Sequence, residues 1–220
     1  MRNRLTRVCF CCVLALLLSP ALAFANDVTA DCTGQTPGAF TSISEALVSM
    51  PAAGPNSIFV IGTCTENINI FQYSSLTIFA NPGAATIAAA NPNRRLLLIN
   101  DAHTVFIDGI NFSGGRGILI LNSNDVTIGD TSIQNSGLQG INSTNSVVSI
   151  FNAAIQNSAR PNITCAGGTL SLDGGVTLSN GARSGITAVN CHLLLNGGDG
   201  TPGTENVISQ NATLGVSLGN

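Results

Sequence analysis

Apolar residues in this chain come in short alternating bursts, each closed by Gly, Asn, Asp or Ser. Aligning the burst centres gives a first series, Ile78, Ile107, Ile128, Ile150, Leu172 and Leu194, at intervals of 29, 21, 22, 22 and 22 residues. A second series follows it: Ile110, Ile133, Ile155, Leu178 and Ile208. A third comprises Ile118, Ile141, Ile163, Ile186 and Val216. Its one long gap holds a Gly- and Pro-rich insertion, NGGDGTPGTE, at 196–205. Alternation marks strands whose side chains point in and out in turn, and the closing residues suit tight or left-handed turns. A period in the twenties points to a solenoid whose coils bury their faces on one another. No helical period occurs within 57–220. The pattern therefore predicts an all-β chain, a right-handed parallel β-helix of three-strand coils about 22 residues long.

The tetrapeptide Ile-Gln-Asn-Ser occurs at 133–136 and again at 155–158. Asn135, Asn157 and Asn180 fall at equivalent points of the period. Asparagine tolerates the left-handed conformation and can hydrogen-bond along a stack, so the repeat reads as corner architecture rather than a ligand site. Residues 26–56 form a different, N-terminal segment. Within it, AFTSISEALVSMP (39–51) sets Phe40, Ile43, Leu47 and Met50 on one side of a short helix. Ser42 and Glu45 have capping-box spacing and Pro51 stops the helix. Such a helix is expected to cap the apolar end of the solenoid.

Composition narrows the setting. Arg2, Arg4 and Arg7 precede an apolar run, Val8 to Leu18, and then Ala23-Phe24-Ala25. This reads as a secretory signal peptide over 1–25, cleaved before Asn26. The coils then occupy 57–220. Beyond residue 25 the only basic residues are Arg94, Arg95, Arg116, Arg160 and Arg183, against eleven acidic ones, a formal charge of −6. That balance disfavours nucleic acid or an anionic membrane as partner, and no later segment is apolar for long enough to span a membrane. Four cysteines remain: Cys32, Cys64, Cys165 and Cys191. An oxidising compartment makes two disulfides the default. Three pairings are open, of which the local one, Cys32–Cys64 and Cys165–Cys191, is favoured. Zinc is disfavoured, because the spacings are wrong and no histidine accompanies the pairs. The expected location is secreted, cell-surface or periplasmic.

Two columns of polar residues carry candidate chemistry. Asp108, Asp130, Asn152, Asp173 and Asn196 each follow a first-series residue by one or two places. They could hold calcium or supply an acid–base pair, although Asp and Asn are also ordinary corner residues. Arg116, Gln139, Arg160 and Arg183 precede the third series. They could form a groove for uronate carboxylates, whose geometry suits the guanidinium fork, or simply be solvated corner side chains. His103 and His192 read as structural. With no Trp, one Tyr and nine Phe, strong aromatic stacking on sugars is disfavoured. Asn142 and Asn162 lie in Asn-x-Ser/Thr sequons.

Two stretches go further. FTSISEALVSMP followed by GTCTENINI (62–70) resembles the start of pectinesterase-type β-helices, and IDGINFSGG (107–115) is similar to an element of the same group. Over roughly 35–220 the chain resembles right-handed parallel β-helix proteins of the pectin-lyase-like superfamily. The resemblance implies carbohydrate chemistry, but the catalytic patterns of its esterases, polygalacturonases and lyases do not occur here. Catalytic residues are therefore unassigned. The substrate-binding candidates are Arg116, Asp130, Arg160 and Arg183. No metal site is assigned and no cofactor is expected, unless a lyase-like activity brings calcium. The leading expectation is a non-catalytic exported module for scaffolding, adhesion or weak glycan binding. The alternative is a polysaccharide-active enzyme. The expected partner is a polysaccharide or cell-surface glycan. Chain-end association is also expected, because LGVSLGN stops just after a third-series strand and would expose strand edges. A partner chain, or further sequence in a longer protein, would cover them.

Overall fold

The computed structural model describes residues 25–81, 85–197 and 204–219. The signal-peptide reading therefore falls almost wholly outside the described residues. The described chain is a parallel β-solenoid of about six turns with one short helix. Each coil has three faces. Face A contains 26–31, 56–61, 74–79, 103–108, 124–129, 146–151, 168–173 and 192–196. Face B contains 62–65, 85–88, 110–113, 131–134, 153–156, 177–179 and 207–209. Face C contains 68–71, 97–100, 118–121, 141–144, 163–166, 186–189 and 216–219. All the pairings are parallel. Parallel stacking begins at Asn26, ahead of the helix.

The interior is filled by ladders of like residues. On face C, Leu97, Ile118, Ile141, Ile163, Ile186 and Val216 lie in register, as the third series predicts. Two predicted alignments shift. On face A, Leu172 pairs with Leu195 and not with Leu194, which pairs with Ser171. The run Leu193–Leu195 has no alternation to fix its parity, and a slip of one residue exchanges inside for outside. On face B, Phe112 and not Ile110 aligns with Ile133. Both residues are buried, so parity alone could not separate them.

Corners explain the recurrent tetrapeptide. Ile133 pairs with Ile155 and Gln134 with Gln156. Asn135, Asn157 and Asn180 then turn the chain with φ of 57, 55 and 51°. The left-handed expectation is met. Bonding between asparagine side chains is not how this corner is held: the Asn157 backbone donates instead to the Ser179 carbonyl. Ser136 and Ser158 tuck inward and are buried.

The helix spans Ile43–Ser49 and buries Ile43, Ala46 and Leu47. Ser42 caps it, its Oγ accepting from the Glu45 backbone at 3.1 Å. Glu45 reaches Thr41 rather than closing the predicted box on Ser42. Glu66, from the GTCTENINI stretch, completes the cap by accepting from the Ile43 and Ser44 backbone N–H groups at 2.8 and 3.0 Å. The two parts of the first stretch that carries the resemblance therefore meet at the helix N-terminus. Disulfides join Cys32 to Cys64 and Cys165 to Cys191, with Cα separations of 5.1 and 5.9 Å.

Candidate functional site

The corner between faces B and C holds every arginine of the described chain. Register places Arg95 two residues before Leu97 and Arg116 two before Ile118 in the next coil. Gln139 occupies the same place before Ile141. Arg160 and Arg183 each stand three residues before their face C isoleucines, Ile163 and Ile186, in adjacent coils. Arg95 is half-buried, and its Nη1 donates to the Arg116 carbonyl at 2.8 Å. Burial, with the positive charges of Arg116 and Arg160 nearby, lowers its pKa from the ordinary value. Arg116, Arg160 and Arg183 are exposed. Their side chains have no hydrogen-bond or ion-pair partner among the described residues.

An open groove of about 580 Å³ runs beside this corner, lined by Gln139, Arg160, Arg183, Thr164, Thr187 and Ser217 among others. The last three form an outward column of hydroxyls, because Thr164 pairs with Thr187 and Thr187 with Ser217. The Gln139 Oε1 is buried with no donor.

Asp130 is not part of this site. It lies at the corner between faces A and B, with φ of 45°, and accepts a hydrogen bond from Asn152 Nδ2. A second, shallower groove of about 410 Å³ surrounds it, lined by Asn111, Ser132, Asn152 and Thr177 among others. The predicted acidic column also divides. Asp108, Gly129, Phe151, Asp173 and Asn196 share one column, whereas Asp130 and Asn152 follow Gly129 and Phe151 at the corner. Gly129 leaves room for the Phe151 ring, which stacks on Phe106 at 6.3 Å between centroids. Asp108 has a buried Oδ1 without a partner, and burial, then the Asp130 charge, raise its pKa. Asp173 accepts from Ser171 Oγ at 2.6 Å and Asn196 Nδ2 at 2.7 Å.

Of the four nominated binding residues, the structure thus gathers Arg116, Arg160 and Arg183 on one corner and sets Asp130 on another. Arg95 was missed, although RRLLLI (94–99) and RGILIL (116–121) place an arginine at the same offset. His103 and His192 are exposed members of face A strands. Cys32, Cys64 and Glu66 lie close enough together to suggest a metal site, but both sulfurs are in the disulfide and the carboxylate caps the helix. Asn162 of the second sequon is fully buried, its Nδ2 donating to Ser179 and Asn211.

No protein family's sequence profile matches the chain, and no solved structure matches it. It is similar to a protein described as "Cell surface glycoprotein" from Methanothermus fervidus, 31% identical over 129 residues. The match covers 58% of this chain and 21% of that protein, so the chain spans about a fifth of its relative's length. The β-solenoid is established by the strand pairing, whereas membership of the pectin-lyase-like superfamily is not. Among the described residues no helix is long and apolar enough to cross a membrane.

Proposed function

We propose that this chain is an exported β-solenoid scaffold displayed at the cell surface, without catalytic activity of its own. The observation that carries the reading is the separation of charges by corner. The acids Asp108, Asp130 and Asp173 and the arginines stand on opposite sides of face B, and the acid that shares the arginine corner, Glu66, caps the helix instead. The outward positions between them are ladders of Ser, Thr, Asn and Ala. Location is supported by the leader-like residues 1–25, by the two disulfides and by the printed description of the similar protein. The test is labelling of intact cells with a membrane-impermeant carboxyl reagent, since the chain has no lysine, with thiol counting on the purified protein. The expected result is surface labelling and no free thiol among Cys32, Cys64, Cys165 and Cys191. A protein protected inside the cell with reduced cysteines would overturn the reading.

One observation favours the enzymatic alternative. Asp108 and Asp130 stand in adjacent coils, and Asp108 is biased toward its protonated form, as a general acid would be. A polysaccharide-active enzyme of this kind would release unsaturated uronides or methanol from pectin or polygalacturonate, with calcium if it is lyase-like. Asp108→Asn and Asp130→Ala would abolish that release.

A further inference from the structure

We infer that the arginine corner between faces B and C is a binding site for a linear anionic glycan. The inference rests on the surface-scaffold reading and names the ligand class of that scaffold. Arg95, Arg116, Arg160 and Arg183 occupy four of five successive coils, with Gln139 between. At ~4.8 Å per coil the stripe is ~19 Å long. In a chain of net negative charge these cations are not scattered. The acids lie at other corners, as Asp101, Asp125, Asp130 and Asp173 do. The single acid on the arginine corner, Glu66, is taken up by the helix N-terminus.

Three features select the ligand. First, the exposed guanidinium groups of Arg116, Arg160 and Arg183 have no partner among the described residues, and their planar fork donates to carboxylate, sulfate or phosphate oxygens in pairs. Second, hydroxyls accompany the charges: Thr164, Thr187 and Ser217 in one column, with Ser184 Oγ and Thr213 Oγ1 3.2 Å apart beside them. A sugar offers hydroxyls of both hydrogen-bonding senses to meet them. Third, no aromatic ring lines the groove. Single-stranded nucleic acid is held by stacking on such rings. A polymer with one oxyanion per sugar, at an interval near the coil rise, fits both the charges and the hydroxyls.

The experiment is titration of the purified protein with polygalacturonate, dextran sulfate, neutral dextran and a single-stranded oligonucleotide, followed by calorimetry. Binding of one or both acidic glycans is expected, with none for neutral dextran. Their relative affinity separates carboxylate from sulfate recognition. Arg160→Gln combined with Arg183→Gln is expected to weaken binding about tenfold and to lower the salt slope by about two. The Arg160→Lys, Arg183→Lys pair recovers part of the affinity, and Asp125→Asn, on another corner, changes nothing. Absence of binding by protein that retains its β-sheet circular dichroism overturns the inference. So does binding that the double variant leaves intact, or an oligonucleotide held as tightly as the glycans. Each of those results leaves surface display untouched, whereas failure of surface labelling overturns the scaffold reading whatever is bound.

Discussion

Replacing Ile150 by alanine measures how the solenoid distributes its stability. Ile150 is fully buried, stacked between Ile128 and Leu172 of the neighbouring coils. The substitution removes three carbons, worth about 2.4 kcal/mol at ~0.8 kcal/mol per buried methylene. Coils on both sides hold the backbone apart, so a cavity remains and adds to the loss. The total should be about 3–4 kcal/mol, within the ~2–5 kcal/mol observed for such truncations. Leu195 occupies the same ladder one coil past Leu172 but is 47% exposed. Leu195→Ala forfeits only about half of the transfer energy and opens no closed cavity, so about 1 kcal/mol is expected. Urea titration followed by far-ultraviolet circular dichroism gives both values, with similar m-values expected for the two variants. Equal losses, or a larger loss at Leu195, would refute the stacked-ladder account, because burial along one column would then not set the cost.

Other outcomes follow from corners and charges. Gly117 has φ of 71°, and a Cβ there would lie 1.9 Å from the Gln139 carbonyl oxygen. Gly117→Ala should therefore cost several times the ~1 kcal/mol expected of Gly38→Ala, which has a similar φ of 77° but open space around it; equal melting temperatures would contradict this. Asp31 accepts from Thr33, Gln35 and Thr36, chiefly the Thr33 and Thr36 bonds holding its carboxyl well below the usual range. Its contribution is present above about pH 4 and lost as pH falls further. Asp31→Asn should thus lower the melting temperature at pH 7, with the gap closing in acid. Asp108 has the opposite sign: its raised pKa stabilises the fold below about pH 4 and that share is lost as pH rises. Asp108→Asn should therefore raise the melting temperature at pH 7 and converge on the native protein in acid, and a fixed offset across pH would exclude the titration.

The fold was legible where the sequence punctuates itself. Every member of the third series is preceded by Gly or Asn, and every one pairs in the predicted register. Where punctuation fails, reading fails: the Leu193–Leu195 run allows either parity, and Ile110 and Phe112 share one. The arginine column was legible because its members stand two or three residues before that well-marked series. Arg95 escaped because the series was counted from Ile118 although Leu97 continues it. The acidic column misled for a geometric reason. Asp108 ends a strand while Asp130 turns a corner, and one residue of offset separates an edge of the face from the bend. Charge segregation by corner was beyond reach, since it needs the register of all three faces at once.

In a solenoid the core repeats, so identity resides at the corners, and these corners differ in how their charges are satisfied. Burial first, and then like charges stacked at the coil interval, raise the pKa of Asp108 on one side of face B and lower that of Arg95 on the other. A purely architectural protein could relieve either column by mixing signs, because corner positions accept most polar residues. Two of the three acids are relieved internally: Asp130 takes a hydrogen bond from Asn152, and Asp173 from Asn196 and Ser171, while Asp108 keeps a buried Oδ1 without a partner. Of the stacked arginines only Arg95 has an acceptor, the Arg116 carbonyl. Gln139 interrupts their column once, yet leaves its own acceptor unsatisfied, and Arg116, Arg160 and Arg183 are exposed without a partner among the described residues. Asparagine could have filled these corners, as it does at Asn135, Asn157 and Asn180. The repulsion that persists among the arginines is what an arriving polyanion would remove, and this asymmetry between the two columns is why the binding face we propose is the arginine corner rather than the acidic one.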